Sequence, residues 1–223
     1  MDHVKIHKII RSRRRTIALV VGSDATLTVR APLQTPIEYL ENLVHRKLQW
    51  IKRKIIEVEQ RPALRLKKFV NGASFLYLGD PYRLRIVNKA DEPLIFKKEF
   101  ILARNYKNQA RELLVNWYRQ EADKKITARV NWHARRFGLK VGQVRITNAQ
   151  KRWGSCGRDN SLNFSWRLIM APLRVVDYVV IHELAHTVER SHSQVFWRKV
   201  AMMSPTYRSG MDWLKMNEHL LQI

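Results

Sequence analysis

The run His182-Glu183-Leu184-Ala185-His186 sets two histidines four residues apart with a glutamate beside the first. On a helix, residues four apart share a face, so both imidazoles can reach one cation while Glu183 lies about 100° round the axis, beside the cation's open side. Such a site polarises water. With this chain's own composition, the pattern arises by chance only about 0.014 times in a sequence of this length. A catalytic zinc site of this kind generally takes three protein ligands and a water, so a third donor is needed. His192 stands six residues beyond His186, the ligand spacing of the metzincin motif. A continuing helix would carry His192 about 240° away from His186, so the chain must turn between them. The metzincin pattern puts Gly at that turn, where this chain has Glu189; Ser191 offers a break, with a new helix starting near Ser193. Glu218 and His219 are the reserve donors.

Zinc brings the pKa of its water down to about 7, and Glu183 is placed to accept the proton released as hydroxide attacks a carbonyl or phosphoryl centre. It then returns that proton to the leaving group. For the developing oxyanion the sequence offers Tyr178, Tyr207, Arg208 and Arg152, of which Tyr207 is taken forward as the transition-state stabiliser. Ser155 and Cys156, in the loop Lys151 to Gly157, have no histidine partner close in sequence, and a zinc-water mechanism needs no covalent intermediate. That loop reads instead as a Gly-rich turn bringing a strand beside the helix. His133, His45 and His219 read as structural or surface residues, and Trp153, Trp166 and Trp197 as core.

The elements that must position these groups follow from hydrophobic period and turn residues. Lys5 to Ile10, Thr16 to Val21 and Ala25 to Arg30 are short β-branched runs, with Gly22-Ser23-Asp24 as a hairpin turn. Thr35-Pro36-Ile37-Glu38 has the form of a capping box, and apolar residues at steps of three and four from Ile37 to Val58 predict one helix from Pro36 to about Gln60, ended by Pro62. Strands are expected at Ser74 to Leu78, Tyr82 to Val87 and Leu94 to Leu102. No Pro or Gly stands between Asn105 and Phe137, so that stretch is one long or two consecutive helices with Leu113, Leu114, Trp117, Ile126 and Val130 inward. Val141 to Thr147 and Ser161 to Trp166 flank the Gly-rich loop as strands. Pro172 opens the helix of the histidine motif, with Val176, Val180, Leu184 and Val188 at steps of four, and helical patterns fill most of Ser193 to Leu221.

The chain has 223 residues and carries a net charge of +23. Its length suffices for a real core, and its ordinary apolar fraction excludes a disordered or fibrous protein. The longest stretch without Asp, Glu, Lys or Arg, Phe69 to Gly79, is 11 residues, against the roughly 20 apolar residues a membrane span needs. A start of MDHVKIHKIIRSRRR lacks the apolar core of a secretory signal, and the single Cys156 has no disulfide partner; both suit a reducing cytoplasm. Residues 1 to 158 carry +22 and residues 159 to 223 only +1. Such a basic region suits nucleic acid or a nucleotide, and a merely solvated surface accounts for it equally well.

The runs RWGSC, LNFSWRLIMAP and DYVVIHELAH, followed by H-x-x-x-F-W at His192 to Trp197, closely resemble the YgjP-like metal-dependent hydrolases, relatives of the SprT-like zinc peptidases. The R-x-R-R-R-T near the start, QWIKRK and FLYLGDPYRLRI match that family's layout, so the resemblance spans nearly the whole chain. It implies a gluzincin-like zinc fold with His182, His186 and His192 as ligands and Glu183 as catalytic acid and base. In the resembling peptidases an edge strand lines the cleft, where an extended substrate adds as a further strand. The expectation is an α+β protein: a basic β-rich region at 1–102 with an inserted helix, and a zincin-like helical catalytic region at 103–223 with a small antiparallel sheet. The expected function is a zinc-dependent peptidase acting on protein or peptide. A metal-dependent nucleotide phosphoanhydride hydrolase and a nucleic-acid-binding protein with a metal site are the alternatives. The absence of a phosphate-cradling glycine motif weighs against the first, and Glu183 beside two ligands against the second.

Overall fold

The computed structural model describes residues 4–22, 24–59 and 67–223. The chain divides into two compact units, Met1–Arg65 and Leu66–Ile223. In the first, alternation of apolar residues makes β3 (Leu27–Pro32) a central strand with Leu27, Val29 and Ala31 fully buried. β1 (Ile6–Ser12) runs parallel to it and β2 (Ala18–Val21) antiparallel. Leu40, Val44 and Ile51 close this core from α1 (Ile37–Arg46) and α2 (Leu48–Glu59). The single helix expected here is therefore two. Lys47 leaves helical geometry at φ −103°, ψ 11°, and its N–H is shared between the Leu43 and Val44 carbonyls, although neither Pro nor Gly stands there. The capping box does not form either, since Pro36 is the N-cap and no side chain caps the helix. Ser23 of the expected hairpin turn, Gln60 and Pro62 lie outside the described residues.

The second unit holds two mixed sheets. β4 (Ser74–Tyr77), β5 (Asp80–Val87), β6 (Leu94–Phe96) and β7 (Phe100–Ala103) are ordered β4-β5-β7-β6, with β5 and β7 parallel. The strand expected over Leu94 to Leu102 is thus a hairpin, turned at Lys98 with φ +62°. The smaller sheet contains β8 (Val144–Thr147), β9 (Gly154–Cys156) and β10 (Leu162–Ser165) in the order β8-β10-β9. β9 is antiparallel to β10 and β8 parallel to it, so the small sheet is mixed rather than antiparallel. The tight turn between β9 and β10 makes that pair antiparallel and fills one edge of β10, while β8 takes the other edge running in the direction of β10.

α3 (Ala110–Arg136) runs unbroken, burying Leu114, Ile126 and Val130, with Leu113 and Trp117 half-buried against the same core. α4 (Leu173–Ala185) follows Pro172 and is apolar on nearly every side, as an enclosed helix must be. α5 (Gln194–Met203) and α6 (Tyr207–Asn217) complete the unit. α6 crosses α4 at Gly210, where a Cβ would lie 2.7 Å from that of Tyr178. Val188 lies beyond the end of α4 and is exposed, so it does not extend the apolar stripe. Among the described residues the architecture is mixed α+β, with six α-helices and three small mixed sheets. No described helix is long and apolar enough to cross a membrane.

Candidate metal centre

The final turn of α4 carries His182 and Glu183, and His186 is its C-cap. Beyond it the Thr187 and Val188 N–H groups reach back three residues to Leu184 and Ala185, a tightening that stops the helix and lets the chain reverse. No glycine is needed, because Glu189 is not among the residues with positive φ. Its carbonyl accepts a hydrogen bond from His186 Nδ1 at 3.0 Å, and its carboxylate accepts from the Ser191 hydroxyl at 2.7 Å and the Ser191 N–H at 3.2 Å. Ser193 then caps α5, its hydroxyl accepting from Phe196 N–H at 3.3 Å. His192 is thereby returned to the other two. Its Nε2 lies 3.0 Å from Nε2 of His182 and 3.2 Å from Nε2 of His186.

Three imidazole nitrogens aimed at one point fit a shared cation. One ligand atom from each of the three lies within 4.8 Å of the others. The His186 Nδ1–H bond to a carbonyl fixes the tautomer that leaves Nε2 with its lone pair free, a common outer support for a metal-bound histidine. Nδ1 of His182 is buried and, among the described residues, meets no hydrogen-bond partner. Burial, then His186 and His192 as neighbours, pushes His182 down to about 4, which keeps it in the neutral form a metal requires. His186 is shifted the same way, chiefly by burial. Phe196 stacks on His186 with centroids 4.4 Å apart and meets His182 and His192 edge to face. Trp197 flanks His182 and His192 at 5.8 and 5.9 Å. The F-W pair after His192 therefore makes an apolar floor for the imidazoles.

Glu183 is buried, 6% exposed, and faces the edge strand β9. A Cβ on Gly154 would sit 2.6 Å from Glu183 Oε1, so only glycine permits this approach. Burial pushes the carboxyl up to about 7, with Arg152 pulling the other way. In the β9–β10 register, Trp153, Ser155 and Gly157 bond to β10, which leaves the N–H and C=O of Gly154 and Cys156 directed to the free edge. A pocket of about 280 Å³ opens beside Glu183, lined by Trp153, Tyr178, Val179, His182, Met211, Leu214, Lys215 and Glu218.

The residues singled out by sequence separate accordingly. His182, Glu183, His186 and His192 come together. Glu218 lines the pocket without joining the histidine group, and His219 lies on the last short turn, Glu218–Leu220. Tyr207 stacks on Trp197 at 5.6 Å, whereas Tyr178 lines the pocket. Ser155 turns to Asn163, and the Cys156 thiol is pushed up, chiefly by burial, so neither is an activated nucleophile. His133 is structural: with Arg129 it holds Asp177, on α4, by bonds of 2.5 to 3.2 Å. Trp166 is core, while Trp153 is half-buried and borders the pocket. Sequence reasoning missed Gly154 as the contact of Glu183 and Phe196 as the floor. The aromatic pair placed one helical turn after His192 was the available signal.

An H-E-x-x-H helix whose histidines meet a third beside a buried glutamate has the ligand pattern of the metal-dependent hydrolase class. The YgjP-like metallopeptidase domain matches residues 15–217, and the chain belongs to that family. A metallopeptidase domain and a cluster of three histidines together point to a metal ion. No curated protein and no solved structure matches the chain.

Proposed function

We propose that the chain is a zinc-dependent peptidase of zincin-like arrangement, in which His182, His186 and His192 hold one Zn²⁺ and Glu183 is general base and acid. The observation that carries this reading is the convergence of three Nε2 atoms beside a buried carboxyl at a free strand edge. Three neutral imidazoles are a donor set zinc favours, with a further position left to water. Bound zinc would activate that water and polarise the substrate carbonyl.

Glu183, with its carboxyl poised near neutrality by burial, takes a proton on a carboxylate oxygen and delivers it to the leaving amine. The outward N–H and C=O groups of Gly154 and Cys156 hold an extended peptide as an added strand. Gly154, lacking a side chain, lets the Glu183 carboxyl lie directly against the strand that receives the peptide. The adjoining pocket, walled by Trp153, Val179, Met211 and Leu214, receives an apolar side chain and excludes water. Tyr207 and Tyr178 are the phenolic donors for the developing charge; burial pushes Tyr178 up to about 12, so it keeps its proton.

Glu183→Gln tests this. It should retain metal while casein cleavage falls by a factor on the order of 10² to 10⁴. Casein cleavage that persists in the variant would overturn the general-base role. Nucleoside triphosphate hydrolysis that is lost in the variant, with casein untouched by wild type, would establish the phosphoanhydride hydrolase instead.

A further inference from the structure

Among the described residues, one side chain fastens the loop that carries His192 to the β9–β10 hairpin by hydrogen bonds. Arg190 Nη1 donates to the Gly157 carbonyl at 2.7 Å and to Cys156 Sγ at 3.0 Å. Its Nη2 donates to the Arg158 carbonyl at 3.3 Å and to Asn160 Oδ1. Among the described residues, every other hydrogen bond of residues 187–193 stays within the loop or goes to the flanking α4 and α5.

The turn that receives the guanidinium is itself braced. Gly157 N–H donates to the Ser161 carbonyl at 2.7 Å, the Asp159 carboxylate accepts from the Ser161 hydroxyl at 2.6 Å, and the Asn160 carbonyl accepts from Gly142 N–H at 2.9 Å. Asn160 holds φ +59°, a left-handed conformation that asparagine tolerates better than most residues. A rigid fork thus meets a rigid receptor. The same receptor continues into β9, whose Gly154 abuts Glu183.

We propose that Arg190 is a positioning residue for the metal centre: by anchoring the 187–193 loop to the 157–160 turn, it holds His192 in register with His182 and His186. The proposal rests on the reading of the three histidines as metal ligands. Two of these are set by α4, whereas His192 stands on irregular chain whose local bonds shape the turn and which, among the described residues, Arg190 alone ties by hydrogen bonds to the neighbouring hairpin. Without the anchor, the ordering entropy of the loop falls on metal binding itself.

The test compares wild type, Arg190→Ala, Arg190→Lys and His192→Ala for zinc affinity by chelator competition and for the visible absorption spectrum of the Co²⁺-loaded protein. Circular dichroism checks the fold. Arg190→Ala should keep its fold, bind zinc on the order of 10- to 100-fold more weakly and show a changed Co²⁺ spectrum. Arg190→Lys, which supplies a point charge rather than a fork, should recover only part of the affinity. Wild-type affinity and an unchanged Co²⁺ spectrum in Arg190→Ala, alongside metal loss in His192→Ala, would overturn the proposal. If Arg190→Ala does not fold, Asn160→Gly removes one acceptor while keeping the left-handed backbone unstrained, at the further loss only of the amide's long bond to the Lys140 carbonyl: a few-fold loss of zinc affinity upholds the proposal and an unchanged affinity overturns it. Wild-type zinc affinity in His192→Ala would overturn the metal-centre reading, and this proposal with it.

Discussion

Replacing Gly154 with alanine adds one methyl group at the tightest contact of the site. The new Cβ would lie 2.6 Å from Glu183 Cγ and Oε1 and 2.8 Å from Cδ, where ordinary carbon contacts are about 3.5 to 4.0 Å. Glu183 must therefore retreat by about 1 Å. Gly154 is not among the glycines with positive φ, so alanine suits its backbone and the whole effect passes through the glutamate. Overpacking of this kind costs about 1 to 3 kcal/mol of stability. A catalytic group displaced by about 1 Å loses on the order of 10² in rate, equivalent to about 2.7 kcal/mol of transition-state stabilisation. The imidazoles are untouched, so zinc stoichiometry should not change. The assay is kcat/KM on casein with thermal unfolding of the same samples. In a Glu183→Ala background the stability cost of Gly154→Ala should largely vanish, because the side chain it strikes is gone. Wild-type kcat/KM in Gly154→Ala, or a stability cost undiminished in the Glu183→Ala background, would refute the reasoning.

Asp177 ties α4 to α3 through Arg129 and His133. Burial alone would raise its carboxyl, but hydrogen bonds from His133 and Arg129 hold it below the usual carboxylate range. A depressed folded value means that its contribution is complete above about pH 4 and is lost as pH falls through the lower folded value. Asp177→Asn should therefore be less stable than wild type by about 1 to 3 kcal/mol near neutrality, with the difference shrinking in acid; a constant difference down to pH 2 would contradict the assignment. The basic charge of residues 1 to 158 predicts binding to unrelated nucleic-acid sequences with similar affinity, falling steeply between about 50 and 200 mM salt. Retention in Glu183→Gln is expected, and salt-independent binding or none would leave the charge as a solvated surface.

What was legible in the sequence is what local periodicity encodes. His182 and His186 share a face because their spacing is one helical turn, and Pro172 and Ser193 mark the starts of α4 and α5 without tertiary help. His192 was legible by its spacing from His186, but the turn that delivers it is built by the Glu189 carbonyl and carboxylate rather than by a glycine. Arg190 was not legible, since its acceptors lie 30 to 34 residues away and no spacing rule connects them. The break at Lys47 has no breaker residue. Strand direction in the smaller sheet escaped as well: alternation of apolar residues is the same whether β8 runs with β10 or against it, so it does not record the parallel pairing.

The central claim is that His182, His186 and His192 share one zinc ion. Crystals of the protein loaded with Zn²⁺, measured on both sides of the zinc absorption edge, test it most directly. One anomalous peak per chain is expected, at the point where the three Nε2 atoms converge, about 2.0 to 2.1 Å from each. A peak ligated by Glu218 or His219 in place of His192, or no peak at the three histidines, would contradict it.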